Sequence, residues 1–159
     1  MSDLLDALYR SDRKRVDELL ADEPDLDVFE AAAFGRTDRL HDLLDEDASS
    51  ANAFGADGFH PLGLACFFSN VEAARLLLER GADVNALSRN DRIETAAIHA
   101  AAASQAKDEA TRYELVKLAL DHGADPNLPQ GGGFRAIDAA RQNGDTRIEQ
   151  LLLERGAST

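Results

Sequence analysis

Cysteine is almost missing. Cys66 stands alone in 159 residues, which excludes an internal disulfide and a thiolate zinc cage. Its setting, Leu64-Ala65-Cys66-Phe67, is that of a small buried apolar residue. Positive charge is scarce as well. Against 30 Asp+Glu there are 17 Lys+Arg, giving −13, a field that repels nucleic-acid phosphates and anionic lipid. Neither nucleic acid nor a membrane is therefore an expected partner, whereas a protein with a basic or apolar surface is compatible. Long apolar runs are absent, since no stretch approaches the ~18–20 residues that cross a bilayer. The acidic opening Met1-Ser2-Asp3-Leu4-Leu5-Asp6 has no basic segment before an apolar one, so no secretory signal is read and a cytoplasmic location is expected. An apolar content of 44% with 30% charged residues suits a folded chain.

What the chain does have is repetition. Glu79-Arg80-Gly81-Ala82-Asp83-Val84-Asn85 is echoed by Asp121-His122-Gly123-Ala124-Asp125-Pro126-Asn127 and by Glu154-Arg155-Gly156-Ala157-Ser158. Each echo follows a Leu-rich segment. The echoes recur at spacings of 42 and 33 residues, and repetition at about this period is the mark of stacked units. Laid on this frame, the chain divides into five helix pairs at about 2–25, 26–54, 55–87, 88–129 and 130–159. The first member of each pair is rich in small residues, as in Glu30-Ala31-Ala32-Ala33 and His99-Ala100-Ala101-Ala102. The second carries the leucines, as in Leu76-Leu77-Leu78 and Leu151-Leu152-Leu153. Small residues let helices approach closely, and leucines supply the apolar area. Gly35, Gly81, Gly123, Gly144 and Gly156 fall at helix ends, where a left-handed cap favours glycine. Gly-Ala-Asp thus reads as a stop signal. The first two units lie too close in sequence for a hairpin between them. Extra sequence at about Ala106 to Thr111 lengthens the inter-helix turn of the fourth unit.

These motifs resemble the ankyrin-repeat family over essentially the whole chain. The resemblance is carried by His60-Pro61-Leu62 with Leu64-Ala65, by Gly81 to Asn85, by Ile98-His99-Ala100-Ala101, and by Gly123-Ala124-Asp125. The family's Thr-Pro-Leu-His signature is degenerate: His60, Ala96 and Arg135 stand where Thr is usual, and the His remains only as His99. The resemblance implies an all-α solenoid of stacked helix-turn-helix units with short hairpin-like connections. The first and last units are expected to act as caps with polar outer faces.

It also implies a binding side, made of hairpin tips and the ends of the first helices. The residues of this chain that fall there and are expected to contact a partner are Phe34, Asp57, Phe59, Phe67, Phe68, Arg92 and Phe134. Five of the seven phenylalanines lie among them, and clustered aromatic rings with a charged rim have the composition of an interaction hot spot. The alternative is that the rings fold down and fill gaps between repeats. The acidic residues Asp22, Glu23, Asp25, Asp27, Asp45, Glu46 and Asp47 are candidates for steering a basic partner.

Chemistry finds little support. No His-x-x-x-His or Cys-x-x-Cys spacing occurs, and Gln130-Gly131-Gly132-Gly133 has no Lys-Ser or Lys-Thr after it to make a phosphate loop. The expected function is therefore a non-catalytic protein-interaction module, an adaptor or a regulator or inhibitor of a partner protein, monomeric and with no cofactor or metal. Two alternatives remain: a small enzyme or ligand-binding protein using His60, His99 or Cys66, and a self-associating structural protein.

Overall fold

The computed structural model describes residues 1–106 and 108–159. Its ten α-helices are α1 (Asp3–Tyr9), α2 (Arg13–Ala21), α3 (Val28–Ala33), α4 (Thr37–Glu46), α5 (Pro61–Phe67), α6 (Val71–Glu79), α7 (Ala97–Ala102), α8 (Glu109–Asp121), α9 (Ala136–Asn143) and α10 (Thr146–Glu154), with a short 3₁₀ turn at Ala48–Asn52. They stack in two layers. The odd-numbered helices pack in series, α1 on α3, α3 on α5, α5 on α7 and α7 on α9, and behind them α4, α6, α8 and α10 do the same. No strand occurs among the described residues. The expected helix-pair solenoid is therefore the observed one.

The packing follows from side-chain size. Ala31, Ala32, Ala65, Ala97, Ala101 and Ala140 are fully buried where first helices meet, and the lack of bulk sets their close spacing. Leu40, Leu44, Leu77, Leu115, Ile148 and Leu152, all from second helices, are also fully buried, each contributing roughly 1.5–3 kcal/mol. The first helices add larger residues that their alanine content conceals, namely Leu62, Ile98 and Ile137. In the N-terminal unit α2 has no fully buried residue and only lays Val16, Leu19 and Leu20 partly against the core, as a capping helix does.

The degenerate signature keeps its capping function by other means. In the second unit Asp27 accepts the Glu30 N–H at 2.8 Å while Glu30 accepts the Asp27 N–H at 3.0 Å, a reciprocal capping box. Elsewhere His60 Nδ1 accepts the Gly63 N–H (3.0 Å), His99 Nδ1 accepts the Ala96 N–H (3.0 Å), and Asp138 accepts the Arg135 N–H (2.9 Å). The five expected glycines take positive φ after their helices, and Ser11 and Ser69 hold the matching place after α1 and α5 at 56° and 66°.

Units are tied by an asparagine ladder that the repeat frame had not singled out. Asn52 donates to the Gly81 carbonyl (3.0 Å) and accepts the Asp83 N–H (2.7 Å). Asn85 does the same with Gly123 and Asp125, at 3.0 and 2.8 Å, and Asn127 with Gly156 and Ser158, at 2.8 and 2.7 Å. The Gly-Ala-Asp echo is thus a receiving strip for the preceding unit's asparagine as well as a helix stop.

The extra sequence of the fourth unit is divided differently from expectation. Glu109 to Thr111 form the first turn of a long α8, started by Asp108 accepting the Thr111 N–H at 2.8 Å. Only the stretch before Asp108 lengthens the connection, and Lys107 within it lies outside the described residues. Arg112 explains the arrangement: it donates to both carboxylate oxygens of Asp145 at 2.8 and 2.7 Å and to the Ala106 carbonyl, which pins the connection against the start of α10.

Candidate functional site

Three hairpins project beside the first helices. They are closed by Gly55 N–H to Phe59 O, Ser88 N–H to Thr95 O and Gln130 N–H to Phe134 O, each 2.8 Å. They are also linked to one another. Arg89 N–H donates to Gly58 O at 2.7 Å and Gly131 N–H to Glu94 O at 2.9 Å. Asn90 adds a side-chain bond to Asp57 O at 2.7 Å. Gly58 is required by this contact. Its φ is +82°, and a Cβ there would lie 2.5 Å from the Arg89 carbonyl carbon.

On the first-helix side four of the expected phenylalanines gather at the N-terminal end of the stack. Phe34, Phe59 and Phe68 lie over Leu5, Ala33 and Leu64, joined by Leu8, Tyr9 and Phe29. Tyr9 is the hub, with its ring 6.4 Å from Phe59 and 5.6 Å from Phe68, and Phe67 meets Phe68 edge-on at 5.1 Å. The rings are half-buried, packed against the stack over part of their surface. Tyr9 was missed as a candidate. The available signal was its register, since it precedes Ser11 by two residues as Phe67 precedes Ser69.

Asp57 has a role that sequence spacing did not reveal. Its Oδ2 accepts the Tyr9 hydroxyl at 3.1 Å and its Oδ1 accepts the Phe59 N–H at 3.1 Å, so it locks the first hairpin to the end of α1. Burial, and then the adjacent carboxylate, push the Tyr9 hydroxyl well above its ordinary pKa. Arg92 is exposed on the second hairpin, and its N–H is held by Asn90 Oδ1 at 2.9 Å. With Arg89, Phe54 and Asp57 it lines an open cleft of about 350 Å³ between the first two hairpins. The Arg89 guanidinium lies 4.0 Å from the centre of the Phe54 ring. Phe134 is 37% exposed on the third hairpin and makes no ring contact among the described residues, so the structure does not bring it into the cluster.

The residues weighed for chemistry are embedded in the scaffold. Cys66 is buried, and burial pushes its thiol up to about 12. His60 and His99 are also buried, and desolvation holds each below the ordinary imidazole value. Besides its helix cap, each reaches a carbonyl of a later connection, His60 Nε2 to Ala86 O at 3.0 Å and His99 Nε2 to Leu128 O at 2.7 Å. Both ring nitrogens are thus occupied by backbone groups of the same unit. Among the described residues no group of three or more His, Cys, Asp or Glu is placed to hold a metal ion.

The acidic cluster is largely committed to folding. Asp25 pairs with Arg39 and Asp45 with Arg80, each at 2.7 Å. Asp27 caps α3, and Asp47 accepts the Ser49 N–H and hydroxyl at 3.0 and 2.6 Å. The hydrogen bond from Arg80 lowers the Asp45 pKa, and those from Ser49 lower that of Asp47. The cluster therefore offers less free charge than its composition suggests.

A family model for ankyrin repeats in three copies matches residues 5–130. The chain belongs to the ankyrin-repeat family. Ankyrin repeats are typically protein–protein interaction modules. Similar proteins include the rat ankyrin repeat and SAM domain-containing protein 6, 30% identical over 79% of this chain but 14% of the relative. Its mouse counterpart is 28% identical over 93% of the chain and 17% of the relative. The ankyrin repeat, SAM and basic leucine zipper domain-containing protein 1 of Saimiri boliviensis boliviensis is 31% identical over 89% and 29%. The chain spans less than a third of the length of these curated relatives. Within this ankyrin-repeat chain, no described helix is long and apolar enough to cross a membrane.

Proposed function

We propose that this ankyrin-repeat chain is a non-catalytic protein-interaction module, an adaptor or a regulator or inhibitor of a partner protein, that works as a cytoplasmic monomer. It binds through its first-helix and hairpin side, with Phe34, Asp57, Phe59, Phe67, Phe68, Arg92 and Phe134 as contact residues and Tyr9 added to them. The observation that carries this reading is the half-buried ring cluster centred on Tyr9, Phe59 and Phe68. Aromatic rings already ordered by packing present large apolar area at little further cost in side-chain entropy, which is what a binding hot spot requires.

The test replaces Phe67 and Phe68 together by alanine and compares affinity capture from the native host with the unmodified chain, using melting curves and sedimentation as controls. The double variant is expected to remain folded and monomeric and to lose its partner. Loss of two hot-spot rings corresponds to ≥ 2 kcal/mol, roughly thirty-fold or more in affinity. Retained capture at unchanged affinity, or global unfolding of the variant, would remove the rings from the binding surface and leave them a packing role.

A further inference from the structure

The first and third hairpins close alike, yet only the first is covered. Gly55 to Phe59 and Gln130 to Phe134 each end in a 2.8 Å bond and contain an inner one of 2.9 Å, Gly58 N–H to Gly55 O and Gly133 N–H to Gln130 O. Gly58 and Gly133, which hold the same place, share a φ of +82°. Gly132 takes a positive φ where Asp57 does not, but the inner bond fixes the peptide that follows, so the carbonyls of Gly132 and Gly133 keep the places of those of Asp57 and Gly58. On the first hairpin the connection that opens the next unit supplies two donors. Arg89 N–H reaches Gly58 O and Asn90 Nδ2 reaches Asp57 O, both at 2.7 Å, and the approach is so close that a Cβ on Gly58 would lie 2.5 Å from the Arg89 backbone. On the third hairpin Gly132 O and Gly133 O accept no hydrogen bond among the described residues, and a Cβ on either glycine would meet nothing within 4 Å. Pro129 and Phe134, at the two ends of this open side, are both exposed.

We infer that the open side of the third hairpin is a docking seat for a turn of the form Xaa-Asn in a partner protein, whose backbone N–H and asparagine amide take Gly133 O and Gly132 O. The first hairpin carries the template. There Asn90 Oδ1 accepts the N–H groups of Arg92 and Ile93 at 2.9 and 3.0 Å, so its own turn orders the side chain that donates outward, and a donor pair ordered in advance loses little entropy on docking. Main-chain bonds of this kind give affinity, and the side chains beside them give selectivity. Xaa is not confined to arginine, because Pro129 stands where Phe54 carries the Arg89 guanidinium. A second copy of the chain is a poorer occupant. Its first hairpin has Asp57 at the asparagine's place, which would set a carboxylate against a carbonyl, and each copy carries a net charge of −13. The inference rests on the proposed role of the hairpin side in binding a protein. Its seat belongs to the fifth unit and the ring cluster to the first three, so each can fail without the other.

The probe is a head-to-tail cyclic peptide carrying the chain's own residues 87–96, titrated into the isotope-labelled full chain at physiological ionic strength and followed by amide chemical shifts. Saturable shifts are expected at Gly131 to Phe134 and not at the ring cluster. N-methylation of the peptide at Arg89 and, separately, its Asn90→Asp form each remove one donor and should weaken binding about fivefold or more. In the protein, Gly133→Asn places a side chain over the seat in a residue type that tolerates positive φ. It should abolish the shifts and leave the amide spectrum of α1 to α8 unchanged, whereas Phe67→Ala/Phe68→Ala should bind the peptide as the parent does. No saturable shift, or a peptide indifferent to N-methylation, overturns the inference whether or not Gly133→Asn folds. Shifts at Gly132 and Gly133 that grow with protein concentration in the absence of peptide make a second copy the occupant and overturn it as well. If the peptide instead shifts Tyr9, Phe59 and Phe68 and loses that effect in the double phenylalanine variant, the seat fails and the ring face stands.

Discussion

Replacing Asp145 by alanine isolates one buried ion pair and tests how the last two units are held. Asp145 is 4% exposed and Arg112 13%, and they meet through two hydrogen bonds of 2.8 and 2.7 Å. Although Asp145 stands at the start of α10, its side chain does not cap that helix, so the substitution removes the pair without removing a cap. It leaves a guanidinium that has lost its carboxylate and keeps only the Ala106 carbonyl. Removing one partner of a buried pair costs about 3–5 kcal/mol, and the residual solvent contact of Arg112 places this case near the lower end, about 3 kcal/mol. For a chain of this size that is a fall in Tm of roughly 6–12 °C. Because each unit of a repeat stack contacts only its neighbours, faster amide exchange should concentrate in α8, α9 and α10. The combined change Arg112→Met with Asp145→Leu leaves no orphan charge and should recover most of the loss. Urea titration of the parent, Asp145→Ala and the double variant, with exchange mass spectrometry, measures both effects. An Asp145→Ala variant within about 1 kcal/mol of the parent, or a double variant no more stable than Asp145→Ala, refutes the reasoning.

Two further outcomes follow from the geometry. Gly58→Ala forces a side chain into positive φ and to 2.5 Å from the Arg89 backbone, costing at least about 1–3 kcal/mol; a denaturant midpoint equal to the parent's would show that the two hairpins are not in contact as described. Acid should weaken the stack through His60 and His99. Each accepts an N–H at Nδ1, so a proton there displaces that bond, and burial lowers both pKa values in the fold. The unfolded chain then binds more protons as pH drops through about 6.5, so stability is full above that value and falls below it. The lowered carboxylates Asp45, Asp47, Asp108 and Asp121 lose their contribution only at lower pH, as they protonate. A urea midpoint that does not fall between pH 7 and pH 5, or that falls equally in His60→Gln/His99→Gln, contradicts this assignment.

Much of the scaffold was readable in one dimension because repetition samples the same local physics several times. Leucine at helical spacing, alanine in the partner helix and glycine past the helix end recur, and each recurrence sharpens the frame. Contacts that appear once were not readable. Nothing in the order of residues couples Arg112 to Asp145, and reading Ala106 to Thr111 as connection failed because Asp108 caps a helix there. Tyr9 meets Phe59 and Phe68 across some fifty residues of sequence, a proximity that no local spacing announces.

By itself, then, the sequence determined the fold and the helix stops, since these depend on period and on side-chain size. The tertiary structure alone decided which of those residues act together. It joined Tyr9 to Phe59 and Phe68, gave the Asp57 carboxylate to Tyr9, paired Asp25 and Asp45 with arginines, and set the Arg89 guanidinium over the Phe54 ring. The physical reason is distance. Composition counts charges and rings over the whole chain, whereas hydrogen bonds and ion pairs act over a few ångströms, and only the folded chain sets which groups come that close.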